Sequence, residues 1–299
     1  MNNIENLVRD TLYDLEQESV EAPADLADRV LRVRRRRPAR LVAAVSAAVV
    51  AALLIGTQAL SGGGEQGAST AAQPPSYVWE MGSARQVLLT AGGVVANDPV
   101  PTPLAGQWTY RKKLEVRVQE DGPGEERGGP RETEHWNRYA DPAFENGNAG
   151  DDHSPRERFR FLAALPADPA KVKAAARTFY PSAGSAESRT QHDFRALSLL
   201  AMSSPADPRG LAKVYRAMAT VPGLQAVQTM DAAGRDAIGI CLPDSKSPTM
   251  RELLLLDPAT YRYSGSGSMK KTGDGWVTVP AGSVALLATG MVGKDGVRP

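Results

Sequence analysis

The side chains best suited to chemistry in this chain are few, and most of them are histidines. The segment Asp151-Asp152-His153 combines carboxylates with an imidazole, which are ligand types that bind divalent metal ions. It lies among Gly and Asn residues, so a solvated loop is the preferred interpretation. The other two histidines, His135 and His192, fall in a predicted strand and at a predicted helix start, where we expect structural roles.

Nucleophile and phosphate-binding motifs are equally scarce. Cys241 is the single cysteine, so no internal disulfide can form, and it falls in an apolar strand pattern where a thiol acts as a small hydrophobic side chain. The segment 290–294, Gly-Met-Val-Gly-Lys, lacks the spacing and the hydroxyl residue of a phosphate-binding loop. No Gly-x-Ser-x-Gly or His-Glu-x-x-His motif occurs. We therefore predict no enzyme, no metal site and no cofactor.

Three aromatic residues are candidates for a binding concavity. Trp108 and Tyr110 share one parity of an alternating strand pattern that continues to Val118. Trp136 lies in a second strand pattern, residues 132–139, which returns after a loop rich in Gly, Pro and charge. Aromatic side chains at this spacing either pack in the core or line a concave binding surface. The sequence leaves both interpretations open.

The elements that would position these residues form an α+β arrangement. Helix patterns cover 84–95 and three segments that begin at Asp168, at a capping-box-like Thr190–Asp193 and at Asp207. Further strand patterns cover 224–230, 236–242, 251–256, 261–269, 276–279 and 283–292. Short turns join these strands, so we predict an antiparallel, curved, half-barrel-like sheet with helices covering one face. The continuous apolar strand 251–256 is predicted to be central and covered on both faces.

A block of arginines followed by an uncharged segment dominates the N-terminal part. Seven arginines lie between Arg29 and Arg40, and no charged residue occurs from Leu41 to Leu60. About 20 apolar residues match the roughly 30 Å hydrocarbon core of a bilayer. By the positive-inside rule the arginines stay in the cytoplasm, which puts the C-terminal domain outside the cytoplasmic membrane. The predicted anchor residues are Arg34, Arg35, Arg36, Arg37, Arg40, Leu41 and Leu60.

A cleaved signal peptide is the alternative interpretation of residues 1–60. The uncharged segment is 20 residues long, whereas the apolar region of a signal peptide usually has about 7–15. A retained single transmembrane helix is therefore the preferred prediction. Residues 61–80 are rich in Gly, Ser, Ala, Gln and Pro and read as a flexible tether to a domain at 81–299.

The cytoplasmic tail, residues 1–40, contains short amphipathic helix patterns. The apolar face of the first consists of Ile4, Leu7, Val8, Leu12 and Leu15. Two short helices cannot bury a core alone, so the tail is either a leader or a ligand for a groove on a cytoplasmic partner. Eight acidic and eight basic residues precede Leu41, and the remainder of the chain is close to neutral. This balance argues against a nucleic-acid-binding protein.

Several short motifs are spread along the chain. They are Leu7–Leu12, Leu26–Leu31, Ala84–Ala91, Gly106–Tyr110, Leu165–Pro169, Val214–Met218, Pro222–Val227, Leu256–Thr260 and Gly296–Pro299. Together they resemble a family of uncharacterised actinobacterial single-pass membrane proteins, often encoded beside extracytoplasmic-function sigma factors. Tyr261 departs from the pattern of that family, which favours Gly after the Asp-Pro-Ala-Thr turn. The resemblance implies no catalytic residues.

A more remote resemblance concerns the fold. A strand ending in Asp-Pro-Ala-Thr within a meander is similar to the half-barrel domains of lipoprotein carriers and of periplasmic regulators of anti-sigma factors. Those domains hold acyl chains or lipoprotein between the sheet and its helices. The resemblances imply an extracytoplasmic sensor domain whose N-terminal tail contacts a cytoplasmic sigma factor. The alternative is a membrane-tethered envelope protein that binds lipid or lipoprotein.

Overall fold

The structure is a computed structural model that describes residues 79–299, apart from 117–128, 183, 185–186, 245 and 274. The predicted tail helix, anchor and most of the tether lie outside the described residues. Within the described residues, no helix is both long and apolar enough to cross a bilayer.

Five α-helices occur in the described part of the chain. They are α1 (Ala84–Val95), α2 (Pro155–Ala164), α3 (Pro169–Phe179), α4 (Arg189–Ala201) and α5 (Pro208–Met218). The sequence predicted four of them and missed α2. Helix α5 contacts each of the other four, and eight of its residues are buried. It is therefore the central helix of the helical layer.

Three of the helices begin in the same way. In α2, α3 and α5 a proline occupies the first helical position, and the residue before it caps the helix. The side-chain oxygens of Ser154, Asp168 and Asp207 accept hydrogen bonds from backbone N–H groups of the first turn. Proline suits this position because its missing N–H group would have no partner inside the helix.

Helix α4 begins two residues earlier than predicted. The capping box is formed by Ser188 and Gln191, each of which accepts a hydrogen bond from the backbone N–H of the other. The predicted box of Thr190 and Asp193 is wrong. The Asp193 carboxylate is instead paired with the guanidinium of Arg177 on α3, which ties the two helices together.

The strands form one open, curved sheet. They are β1 (Trp79–Glu80), β2 (Trp108–Val116), β3 (Pro130–Arg138), β4 (Gln225–Met230), β5 (Asp236–Cys241), β6 (Met250–Leu256), β7 (Tyr263–Thr272) and β8 (Gly275–Val292). Their order is β1-β4-β5-β6-β7-β8-β2-β3, and every described pair is antiparallel. The predicted α+β class and antiparallel pairing are thus confirmed.

Strand β8 is one bent strand of 18 residues, where the sequence predicted two. Its register against β7 shifts, because Ser266 pairs with Val284 whereas Ser268 pairs with Val279. The residues between the two pairings bulge, and Gly282 there has a φ of 77°. A bulge bends a strand without ending it. The first half of β8 therefore pairs with β7 and the second half mainly with β2, which curves the sheet.

Apolar side chains lie on both faces of β4–β6. The larger core lies between the helices and the sheet and includes Tyr215 of α5 and Leu256 of β6, both 0% exposed. The smaller core, on the opposite face, includes Cys241 of β5 and Leu255 of β6. Alternate residues of β6 thus enter different cores. This arrangement confirms the prediction of a central strand covered on both faces.

Candidate functional site

An aromatic stack lies where the 146–153 loop meets α2 and α3. Phe179, the last residue of α3, lies between two rings, with centroids 3.7 Å from His153 and 4.0 Å from Phe161 of α2. Tyr180 meets the ring of Phe179 edge to face at 5.0 Å. A cavity of about 400 Å³ opens beside the stack. Its lining includes Asp151, His153, Phe161, Thr178, Phe179 and Pro181.

Two hydrogen bonds fix the His153 ring in this wall. Nε2 donates to the carbonyl oxygen of Phe179 at 2.8 Å, and Nδ1 lies 2.9 Å from Oε2 of Glu157. The side chain is 11% exposed. The prediction of a solvated loop is therefore wrong for His153, although Asp151 and Asp152 are exposed. Because both ring nitrogens bond within the protein, the ring forms a wall of the cavity and is not placed to exchange protons with a bound molecule.

A buried carboxylate holds the loop that carries His153. Glu145 is 5% exposed and accepts hydrogen bonds from Ser154 Oγ at 2.7 Å and from Arg156 Nε at 2.8 Å. Ser154 Oγ also caps α2 by accepting the N–H of Glu157 at 3.1 Å. Hydrogen bonds from Arg156 hold the pKa of Glu145 below its ordinary value of 4.5. The loop and the start of α2 are thus fixed as one unit.

Two further arginines, one on β2 and one on α2, each donate a hydrogen bond to a backbone carbonyl oxygen. Arg111 of β2 donates through Nη2 to the carbonyl oxygen of Met202, just after α4, at 3.4 Å. Arg158 of α2 donates through Nε to the carbonyl oxygen of His153 at 2.9 Å.

The electrostatic surroundings of Arg111 are positive and phenolic. Burial, with a smaller contribution from the charge of Arg158, lowers the pKa of Arg111 to about 10. Tyr180 and Tyr263 act on Arg111 in the opposite direction, and burial raises the pKa of both phenols, which keeps them neutral hydroxyl donors. A desolvated cation beside a like charge is unfavourable. Two carboxylates also act on these phenols, because Asp152 contributes to the raised pKa of Tyr180 and Glu115 to that of Tyr263.

The predicted aromatic concavity belongs to the other face of the sheet. Tyr110 and Trp136 come together on paired strands, with ring centroids 5.3 Å apart. Arg111 bonds on the helical side, and adjacent residues of a strand point to opposite faces, so Tyr110 points away from the helices. Trp108 lies under the guanidinium of Arg138, which is 5.3 Å from its ring centroid.

The segment after β8 covers two of these three aromatic residues. Trp136 Nε1 donates to the carbonyl oxygen of Val297 at 2.7 Å, and Arg298 pairs with Glu134 at 2.7 Å. Tyr110 donates its hydroxyl hydrogen to the same glutamate at 2.9 Å. The surface of Tyr110 and Trp136 is thus occupied by the chain itself, and a ligand-binding role for the three aromatic residues stays a prediction.

The remaining histidines and the cysteine occupy separate positions. His192 donates through Nε2 to the carbonyl oxygen of Tyr180 at 2.7 Å, which joins the first turn of α4 to the end of α3. Cys241 is fully buried in the smaller core. His135 pairs with Arg111 across β3 and β2. The described part of the chain contains no group of three or more His, Cys, Asp or Glu residues that could hold a metal ion.

The comparisons with known proteins find no relative of this chain. No family model matches it, and no match among curated proteins or solved structures is found. The site therefore rests on geometry, and the family resemblance drawn from short motifs stays a prediction.

Sequence reasoning missed the aromatic stack because it missed α2. A signal was present: Ser154 followed by proline, with Glu157 three residues after the serine, is the pattern of a capped helix start. Recognising it would have put Arg158 and Phe161 on one helix. Nothing comparable marks Arg111, which stands in a strand beside two lysines and whose burial depends on elements distant in sequence.

Proposed function

We propose that this chain is a single-pass membrane protein whose outer domain binds a ligand and whose tail, residues 1–40, contacts a cytoplasmic sigma factor. The arginine block before residues 41–60 supports one span with the N-terminus inside. The observation that carries the ligand-binding part is the cavity of about 400 Å³ beside Phe179. Its volume lies within the range of roughly 300–1,000 Å³ that is typical of small-molecule sites.

The walls of the cavity indicate what kind of ligand it would accept. Phe161 and Phe179 offer apolar ring surfaces, while Asp151 and Thr178 supply polar groups to the lining. Aromatic surfaces with a few polar groups suit a small ligand with a flat or short apolar part. A ligand held there would touch the 146–153 loop and both α2 and α3 at once.

The position of the cavity also suits a regulatory role. Helices α2 and α3 both pack on α5, the most buried helix of the domain. Ligand binding at their junction would stabilise this helical layer by a free energy that grows with the logarithm of the ligand concentration relative to its dissociation constant. A single membrane span joined to the domain by a tether would need a second step to transmit this stabilisation to the cytoplasmic tail. Residues 45–52 are rich in Ala, Val and Ser, which would allow two spans to pack closely.

The alternative, a membrane-tethered lipid- or lipoprotein-binding protein, requires apolar space between the sheet and the helices. Under β4–β6 that space is filled by side chains. Leu200, Tyr215 and Ile240 each have 0% exposure there. An acyl chain could enter only if these residues moved apart, at the free-energy cost of disrupting a packed core. We therefore prefer the first proposal, in which the outer domain binds a small ligand and the tail contacts a sigma factor.

Affinity purification from native membranes tests the proposal. The tagged full-length chain is compared with a version lacking residues 2–28, and proteins and lipids in both eluates are identified by mass spectrometry. A sigma factor present only with the complete tail is the expected result. Matched eluates would contradict the regulatory role, and lipid enriched in both would favour the alternative.

A matched pair of tail variants sharpens this experiment. Leu7→Ser combined with Leu12→Ser removes apolar side chains from the predicted helix face, whereas Glu5→Ser with Glu16→Ser changes polar positions only. A partner that docks on the apolar face should be lost from the first eluate and kept in the second. Loss from both, or retention in both, would show that this face does not bind it.

A further inference from the structure

Strand β3 forms one edge of the sheet. Its nine residues, Pro130–Arg138, all pair with β2 in one unbroken register, and within the described part of the chain no other strand pairs with β3. The opposite edge, β1, has only two residues. A long regular edge presents a row of backbone N–H and C=O groups to which the strand of another chain can bond. Strand β3 is therefore the edge better suited to pairing.

A hydrogen bond beside β3 shows which of its backbone groups face outward. Tyr139, just after the strand, donates its N–H to the carbonyl oxygen of Gln107, just before β2, at 2.9 Å. Because bonded and non-bonded pairs alternate along an antiparallel ladder, the odd-numbered residues of β3 direct their backbone groups at β2. The Thr109 hydroxyl of β2 bonds the carbonyl oxygen of Asn137, which agrees with this assignment. The even-numbered residues of 132–138 therefore direct their backbone groups away from the sheet.

The outward residues are spaced symmetrically about His135. They are Glu132, Glu134, Trp136 and Arg138. A second copy related by a two-fold axis at His135 would set residue 132 opposite 138 and residue 134 opposite 136. Each opposed pair would exchange two hydrogen bonds, so the outward N–H and C=O groups of all these residues would be bonded. An axis at any other residue leaves at least one of them without a partner from this set.

The charges on this edge fit the same axis. Arg138 is exposed, and its guanidinium lies over the ring of Trp108. The Glu132 side chain is 29% exposed and reaches Lys112 of β2. An axis at His135 sets Glu132 of each copy opposite Arg138 of the other. Opposite charges that face each other across paired strands attract, and a two-fold axis forms this pair twice.

Neighbouring registers oppose like charges or shorten the ladder. An axis at Glu134 would set this carboxylate opposite its own copy, and an axis at Thr133 would set Glu132 opposite Glu134. Like charges directly opposite each other are destabilising. An axis at Trp136 would set Glu134 opposite Arg138 but would leave the backbone groups of Glu132 beyond the paired strand. Backbone pairing and charge thus select one register.

We propose that two copies of this chain pair through β3 about a two-fold axis at His135, which joins their sheets into one. The partner is a second copy because the symmetric spacing of Glu132 and Arg138 lets one sequence supply both charges of each pair. Opposed residues of the two copies point to the same face, so both helical layers lie on the same side of the joined sheet. This pairing goes beyond the proposed function and requires neither the ligand nor the cytoplasmic partner.

Disulfide trapping in the purified full-length chain tests both the pairing and its register. At the proposed axis the two copies of residue 135 form a non-bonded pair with Cα atoms about 4.5 Å apart, which lies within the disulfide range of about 4.4–6.8 Å. His135→Cys should therefore form a covalent dimer when copper phenanthroline is added. In the matched control Thr133→Cys, on the same face of β3, the two Cα atoms would be about 14 Å apart. Cys241 is buried and common to both variants.

The expected result is at least about tenfold more dimer from His135→Cys than from Thr133→Cys, because only the first pair lies within disulfide reach. Equal yields, no dimer from His135→Cys, or a dimer from Thr133→Cys alone would overturn the proposal. Packing of two membrane spans would not distinguish these neighbouring positions. A register-specific dimer therefore reports on β3, whatever the purification experiment shows for the tail.

Charge variants in the His135→Cys background test the proposed ion pairs. Arg138→Glu should slow dimer formation about tenfold, because it sets two carboxylates opposite each other at both ends of the ladder. Adding Glu132→Arg exchanges the charges and should restore the rate. A rate that Arg138→Glu does not change, or that the exchange does not restore, is contrary to the proposed register.

A second cysteine pair covers the case in which His135→Cys does not fold. Glu132→Cys and Arg138→Cys lie opposite each other across the axis, with Cα atoms about 5.5 Å apart, as in any bonded antiparallel pair. Within one chain they are six residues apart along an extended strand and cannot meet. A dimer should form only when one chain carries both substitutions. A dimer of similar yield from either single variant, or none from the double variant, would overturn the proposal.

Discussion

A single carboxylate, that of Glu145, connects the loop, the helix cap and the cavity wall. It accepts hydrogen bonds from Ser154 and Arg156 at the start of α2, and the loop that follows it carries His153. Because the side chain is nearly excluded from water, its removal would leave the Arg156 donors without their acceptor. The position of the aromatic stack therefore depends on one ionised group that does not line the cavity.

Replacing Glu145 with Gln should lower the free energy of unfolding by about 1–3 kcal/mol, since a charge-assisted pair becomes a neutral one. The folded pKa of Glu145 lies below its ordinary value of 4.5 because of the hydrogen bonds from Arg156. The stability that ionised Glu145 contributes is thus fully present at pH values above its ordinary pKa, and it is lost as the pH falls through the pKa of the folded state. Urea unfolding of the full-length chain between neutral and acidic pH measures both effects.

The control for this prediction is Glu132→Gln. Glu132 pairs with Lys112 at 2.6 Å, but its side chain is 29% exposed, and partly exposed pairs contribute little. The control should change stability by less than about 1 kcal/mol and should leave the acid dependence as in the wild type. Equal losses for the two variants, or an unaltered acid dependence in Glu145→Gln, would contradict the role given to Glu145.

Among the elements, those with local signals were predictable and those set by distant contacts were not. Helix α5 was found from Asp207 and its apolar spacing, and β6 from four consecutive leucines. The prediction that β8 is broken into two strands was wrong. Its pairing with β7 and β2 keeps the strand continuous through the bulge, and these pairings cannot be read from the sequence. The start of α4 was misplaced because Asp193 bonds Arg177 of α3 instead of the backbone.

The crossing of α2 and α5 depends on one glycine. A Cβ atom added at Gly210 would lie 2.2 Å from the carbonyl oxygen of Leu162, far inside contact distance. Gly210→Ala should therefore force the helices apart and cost about 1–3 kcal/mol. Gly93→Ala is the matched control, because a Cβ at this exposed position of α1 meets nothing within 4 Å.

The control should behave in the opposite direction. Alanine is more favourable than glycine inside a helix by about 0.5–1 kcal/mol, so Gly93→Ala should stabilise the chain. Chemical unfolding followed by tryptophan fluorescence gives both values. If Gly210→Ala were as stable as the wild type, the close approach of α2 and α5 would not be a feature of the folded protein.

At the scale of the whole molecule, the candidate site was beyond prediction from sequence. It joins His153 of the loop, Phe161 of α2 and Phe179 at the end of α3, which meet only after the helical layer has packed. Composition and alternation identified the class of fold, because they depend on each element separately. The aromatic residues that alternation did single out, Tyr110 and Trp136, lie on the face away from the helices.

The proposed topology predicts which parts of the chain meet an impermeant reagent. Cys241 is 0% exposed and should not react with a maleimide in the folded protein. An added thiol in Ala163→Cys, at an exposed position of α2, should be labelled in intact cells, and one in Asn2→Cys only after permeabilisation. Labelling of Asn2→Cys in intact cells would overturn the orientation. A mature chain shortened by about 60 residues would instead show that the uncharged segment is a cleaved signal peptide.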